Sequence, residues 1–110
     1  MGYFVNKKNV APVYREGQHS FELLKSENGC VAGCCSGITV YTEAEYLAPG
    51  VHEDQEGFFV LEGTGWAKVG EEEVRIEPEM SFMAPAGVEH SVKKDRDSVP
   101  VKVLWFHAAI

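Results

Sequence analysis

The sequence predicts an all-β sandwich or barrel built from many short strands, and three observations carry that expectation. Apolar residues come in short runs or alternate with polar ones, as in Glu73-Val74-Arg75-Ile76, and no helix-period stripe of useful length occurs. Gly and Pro interrupt the chain about every dozen residues. The runs are rich in Phe, Val, Ile, Tyr and Trp and end on turn residues such as Asn28-Gly29 and Gly63-Thr64-Gly65.

A chain of 110 residues is one domain, large enough for a single core. A net charge of −7 argues against nucleic acid, which needs a basic face; Lys93, Lys94 and Arg96 are interrupted by Asp95 and Asp97. No apolar run is long enough to cross a bilayer, so no membrane partner is expected. The start, MGYFVNKKNV, lacks a signal-peptide core, and Asn6 spoils a myristoylation pattern. The cytoplasm is the default compartment. Cys30, Cys34 and Cys35 match no common zinc spacing and read as small, buried, reduced thiols.

In chain order, Tyr3-Phe4-Val5 reads as an edge strand or an arm that pairs with another subunit. Val10 to His19 reads as irregular, broken by Pro12 and Gly17. Phe21 to Lys25 is a strand, and Asn28-Gly29 is a hairpin-type turn. Cys30–Cys35 and Ile38–Leu47 read as one strand kinked at Gly37, or as two. Thr39, Tyr41 and Glu43 then share one face, with the inward face left open. Gly57–Glu62, Trp66–Val69, Glu73–Ile76, Met80–Met83 and His90–Val92 follow as short strands between turns. Val99 to Ala108 is a long last strand. Lys102 faces solvent there, which turns Val101, Val103, Trp105 and His107 inward and Leu104 and Phe106 outward.

The chemistry gathers in two stretches. In APGVHEDQEGFFVLEG, Ala48 to Gly63, a Pro49-Gly50 turn precedes one imidazole and three carboxylates: His52, Glu53, Asp54 and Glu56. They sit at the mouth of the buried run Phe58-Phe59-Val60-Leu61. In Pro85-Ala86-Gly87-Val88-Glu89-His90, a turn again precedes a histidine. These two stretches are expected to meet inside one small barrel. Residues 50, 52, 54 and 56 point the same way wherever the backbone is extended.

From about Gly37 to Phe106 the chain resembles the cupin superfamily. The first cupin motif is a Gly, then His-x-His, then Glu after three or four intervening residues, then Gly after six more intervening residues. His52, Glu56 and Gly63 match its second histidine, its glutamate and its closing glycine. The second motif is Pro-x-Gly-x-x-His, matched by Pro85, Gly87 and His90. Gly50 stands where the first histidine of His-x-His belongs. Glu79 replaces the Gly that usually opens the second motif, and Lys94 replaces the Asn of some members. The resemblance implies an antiparallel cupin (double-stranded β-helix, jelly-roll) barrel filling 1–110. Residues 1–20 would form an N-terminal arm and 37–106 the motif-bearing barrel. Subunit exchange through the arm, or packing of Leu104 and Phe106, implies a homodimer.

The resemblance also implies a metal site at His52, Glu56 and His90, one imidazole short of the usual three histidines and one glutamate. That donor set suits iron, manganese, nickel or zinc. Water is the simplest replacement for the missing ligand; His107 and Asp54 are the protein candidates. Glu56 is a ligand or a catalytic base beside the metal. His107, Trp105, Phe58 and Tyr41 are expected to line the pocket, and Trp66, Phe59 and Phe82 to fill core or pocket. Glu53, Asp54 and Glu71–Glu73 read as a solvated acidic face, and His19 is given no role. The function expected is a metal-dependent cupin enzyme of oxygenase, isomerase or decarboxylase type, acting on a small organic molecule. The alternative is a metal-free, sugar-like binding or sensor module, or an epimerase-type cupin with a His-Asp or His-Tyr pair. A storage or structural role ranks last.

Overall fold

The computed structural model describes residues 2–110. Its strands are β1 (Val13–Arg15), β2 (Gln18–Leu24), β3 (Cys35–Tyr41), β4 (Glu56–Glu62), β5 (Gly65–Val69), β6 (Glu72–Ile76), β7 (Ser81–Ala84), β8 (His90–Lys94) and β9 (Val101–His107). The only helical turns among the described residues are 3-10 turns at Lys7–Asn9 and Ser26–Asn28. No helix there is long and apolar enough to cross a membrane.

Two antiparallel sheets make the barrel. The larger runs β1-β2-β3-β9-β4-β7 and the smaller β6-β5-β8. The last strand therefore lies between the third and the fourth. Its register sets Val103 against Thr39 and Val60, and His107 against Cys35 and Glu56. Inward parity holds along β9: Val101 and Val103 are buried, while Trp105 and His107 continue the same face towards the barrel mouth. Phe58, Val60, Val101 and Val103 meet Ala67, Ile76 and Val92 of the smaller sheet, with Ala84, in one core. Phe58 stacks on Phe82 with ring centroids 4.5 Å apart.

Several expectations need correction. Val13–Arg15 and Gln18–Ser20 pair as a hairpin across Glu16-Gly17, so Val10–His19 is largely ordered. Gly17 supplies the positive φ, 73°, at that turn. Cys30–Cys34 is loop rather than strand, because Gly29, Ala32 and Gly33 all take positive φ. Asn28-Gly29 closes a 3-10 turn and not a hairpin. Strand β3 ends at Tyr41, and Thr42–Leu47 runs as loop. Gly37 marks no kink: a Cβ there would collide with the Trp105 indole and the Phe21 carbonyl. Strand β6 is an edge strand in which only Ile76 is buried; Val74 is 47% exposed. The cysteines are free but not buried, since Cys30 and Cys34 sit on the surface loop.

Tyr3-Phe4-Val5 forms no strand. Asn28 Nδ2 donates to the Gly2 carbonyl at 2.8 Å, and Lys7 Nζ lies 3.9 Å from the centre of the Phe21 ring. The arm thus runs along its own chain, leaving Phe4 94% exposed.

Candidate metal centre

Four elements deliver the site. His52 comes from the loop between β3 and β4, Glu56 opens β4, His90 opens β8 and His107 closes β9. The loop is stitched to the second motif by backbone. Gly50 and His90 exchange two hydrogen bonds of 2.9 Å, and Gly87 N donates to the His52 carbonyl at 2.7 Å. The tight Pro85–Val88 turn that aims this donor relies on Gly87 at φ 77°.

Glu56 is the centre of the cluster. It is 6% exposed, and three imidazoles face its carboxylate. His52 Nε2 and His90 Nε2 each stand 3.3 Å from Oε1, and His107 Nε2 stands 3.5 Å from Oε2. The ring of His52 lies between the other two, with centroids 5.3 Å from His90 and 5.2 Å from His107. His107 Nδ1 is 2.8 Å from Asp54 Oδ2. This hydrogen bond is the largest cause holding the Asp54 carboxyl below its ordinary value. Asp54 is therefore no part of a solvated face, which corrects that expectation; a bend at Glu53-Asp54, where the backbone is not extended, turns it towards His107 of the last strand.

The donors fit a divalent ion. His52, Glu56 and His90 each offer a ligand atom within 4.8 Å of the others. Two imidazole nitrogens approach Oε1, yet that buried oxygen has no hydrogen-bond partner, and neither has buried His90 Nδ1. A buried carboxylate oxygen left unsatisfied is costly unless a cation completes it. Donors sharing one ion at about 2.1 Å lie roughly 3.0–3.4 Å apart in octahedral or tetrahedral geometry; each imidazole meets that spacing to Oε1 at 3.3 Å, within a group that spans up to 4.8 Å.

The cluster floors a cavity of ≈ 530 Å³, a size suited to a small organic molecule. Tyr41, Trp105 and His107 line it. Phe58 does not: it lies in the core behind the site, its ring centroid 5.5 Å from that of His90. Trp105 Nε1 donates to Thr39 Oγ1 at 2.8 Å, and Thr39 shares a 2.7 Å hydrogen bond with Ser20. This chain fixes the indole wall. Burial, then the Glu56 charge, push the Tyr41 phenol far above its ordinary value and keep it a donor. Burial, then Asp54, keep the Cys35 thiol protonated on the same wall. Arg15, Gln18 and Ser20 also line the cavity and were missed in the sequence, the first two hidden in the stretch read as irregular. His19 stands apart, its ring 5.4 Å from Tyr14 and 5.8 Å from Phe21.

No curated protein matches the sequence. Solved structures share the fold at low identity. An RmlC-like cupin from Shewanella frigidimarina NCIMB 400 aligns with TM-score 0.78 at 13% identity, covering 97% of this chain and 90% of that one. A predicted oxalate decarboxylase from Thermotoga maritima aligns with TM-score 0.78 at 15% identity, covering 96% and 98%. Hydroxypropylphosphonic acid epoxidase from S. wedmorenis, in complex with fosfomycin, aligns with TM-score 0.83 at 13% identity. That alignment covers 96% of this chain and 58% of the epoxidase. The family described as Cupin domain matches residues 38–107, and with both motifs meeting at one carboxylate inside the barrel, the chain belongs to the cupin family.

Proposed function

We propose that this barrel holds one divalent metal ion at His52, Glu56 and His90 and uses it to bind or transform a small organic molecule in the cavity above. The observation that carries this reading is the buried Glu56 Oε1, faced by two imidazole nitrogens at 3.3 Å and hydrogen-bonded to neither. Iron, manganese, nickel and zinc all suit two imidazoles and a carboxylate. When bound, such an ion supplies Lewis acidity and lowers the pKa of a coordinated water. The other roles fall to this chain. Both Glu56 oxygens face imidazoles, which favours the ligand role over that of a free base. Tyr41 offers a neutral phenol donor to the guest, and Trp105, fixed by Thr39, forms an apolar wall. His52 is the exposed member, its side chain 43% accessible, and is the ligand nearest incoming molecules. The neighbours named above include an epoxidase and a predicted decarboxylase, which supports an enzyme without choosing its reaction.

A second reading has one observation behind it. The Asp54–His107 pair at 2.8 Å is the His-Asp arrangement that a metal-free, epimerase-type barrel would need. Metal titration separates the two. Under the first reading, apo protein takes up one equivalent of divalent ion, its melting temperature rises with ion concentration, and His90→Ala abolishes both effects. Unchanged melting across a series of divalent ions would favour the second. A homodimer is proposed through the outer face, where Phe106 is 44% and Phe4 94% exposed. Sedimentation as a monomer at high concentration would overturn that part.

A further inference from the structure

We infer that His107 is the third imidazole ligand of the metal centre, entering from the last strand in place of the histidine absent at position 50, and that Asp54 is the positioning residue that aims it. This rests on the metal reading above.

Three observations carry it. First, the space for a side chain at position 50 is crowded by His90. A Cβ on Gly50 would stand 3.0 Å from His90 Nε2 and 3.2 Å from Cε1, so the ring of His90 lies over the bare backbone. A side chain from that side would have to push the His90 ring aside by a few tenths of an ångström. Second, the opposite side carries one. His107 is the register partner of Glu56 across the β4–β9 ladder, in a strand flanked on both sides. Its side chain is 12% exposed, and Nε2 points at Glu56 Oε2, the oxygen that the other two histidines leave free. Third, its tautomer is set. A carboxylate only accepts, so the 2.8 Å contact with Asp54 places a proton on Nδ1, and in the neutral ring the lone pair then falls on Nε2. That lone pair faces a carboxylate oxygen at 3.5 Å. In the neutral ring these are two acceptors facing each other, an arrangement that a cation between them would satisfy. A carboxylate bound to the far nitrogen of an imidazole is the usual outer partner of a metal-bound histidine. Nothing comparable holds His52, whose loop position leaves it exposed, and His90 Nδ1 has no partner. His107 is the best-oriented donor of the three.

The test uses the full chain, stripped of metal and loaded with one equivalent of Cu(II) as a paramagnetic probe. Electron paramagnetic resonance counts the coupled imidazole nitrogens, and competition with a chelator gives affinity. Wild type is expected to show three imidazoles; His107→Ala and His107→Gln are expected to show two. The control His19→Ala stays at three. Asp54→Ala is expected to weaken affinity roughly 10–100-fold, and Asp54→Asn, which keeps an acceptor oxygen, to recover most of it. Free imidazole added to folded His107→Ala should restore the third coupling. Far-ultraviolet circular dichroism of each apo variant checks that the barrel is intact. If wild type and both His107 variants show the same two imidazoles and equal affinity, His107 is no ligand while the metal reading stands. If wild type takes up no Cu(II) at the site, both fail.

Discussion

Gly50 and His90 face each other across two backbone hydrogen bonds of 2.9 Å, and the imidazole of His90 covers the place where a side chain on residue 50 would begin. The glycine at the first motif is thus matched to the position of the second motif's histidine. Gly50→Ala is expected to push the His90 ring away from Glu56, costing about 1 kcal/mol of stability and weakening metal affinity. Gly50→His is expected to weaken it further instead of restoring a ligand. A Gly50→His protein that binds metal more tightly than wild type in chelator competition would contradict this.

Glu56 is held for function at the expense of the apo fold. Its Oε1 is buried without a hydrogen bond. Glu56→Gln is expected to lower metal affinity by more than the roughly 10–100-fold that loss of an outer partner costs. The same variant without metal should melt no lower than apo wild type, because the uncompensated buried charge is gone. Calorimetric scans of both apo proteins check the second half.

Acid stability should depend on Asp95. Its carboxylate accepts from Arg75 Nη1 and from Thr64 Oγ1, both at 2.8 Å. The Arg75 hydrogen bond, then that from Thr64, hold it below its ordinary value of 3.8. A carboxyl depressed in the folded state stabilises the fold above the unfolded value and loses that contribution as pH falls through the lower folded value. Melting temperature should therefore drop as pH is taken below 3.8. Asp95→Asn should flatten that drop, and at neutral pH it should melt below wild type. Parallel acid limbs for the two proteins would count against this.

Glu79 carries strain that a glycine would release. The turn Glu77-Pro78-Glu79-Met80 is closed by Met80 N to Glu77 O at 3.2 Å, and Glu79 sits at φ 75°. Pro followed by a positive-φ residue is the type II pattern, in which the third position favours Gly. The left-handed conformation costs a non-Gly residue about 1–2 kcal/mol, and the extra unfolded-state freedom of Gly returns part of that. Glu79→Gly is expected to stabilise by about 0.5–1 kcal/mol, read as a rise of several degrees in melting temperature.

What could be read beforehand followed from local rules. Turn residues bracket β4 to β8 closely, so those strands were visible, and two-residue parity gave the inward face of β9; the bends at Glu53 and Asp54 put the approach of His52 and Asp54 to the site beyond that rule. The Glu16-Gly17 hairpin was hidden because only three residues of each strand pair, with Gln18-His19-Ser20 polar on one side, and with it the cavity wall of Arg15, Gln18 and Ser20. Contacts between distant residues were also out of reach. Asp54 and His107 are 53 residues apart, and only the register of β9 beside β4 brings them together. Aromatic content misled at Phe58, where an expected pocket wall is core packed behind His90.

The most direct measurement is elemental analysis of the protein purified without chelator or added metal, beside His52→Ala and His90→Ala. Close to one equivalent of iron, manganese, nickel or zinc in wild type, lost in both variants, is the predicted result. Wild type without metal, taking up none on titration, would contradict the central claim and leave the cavity to a metal-free ligand.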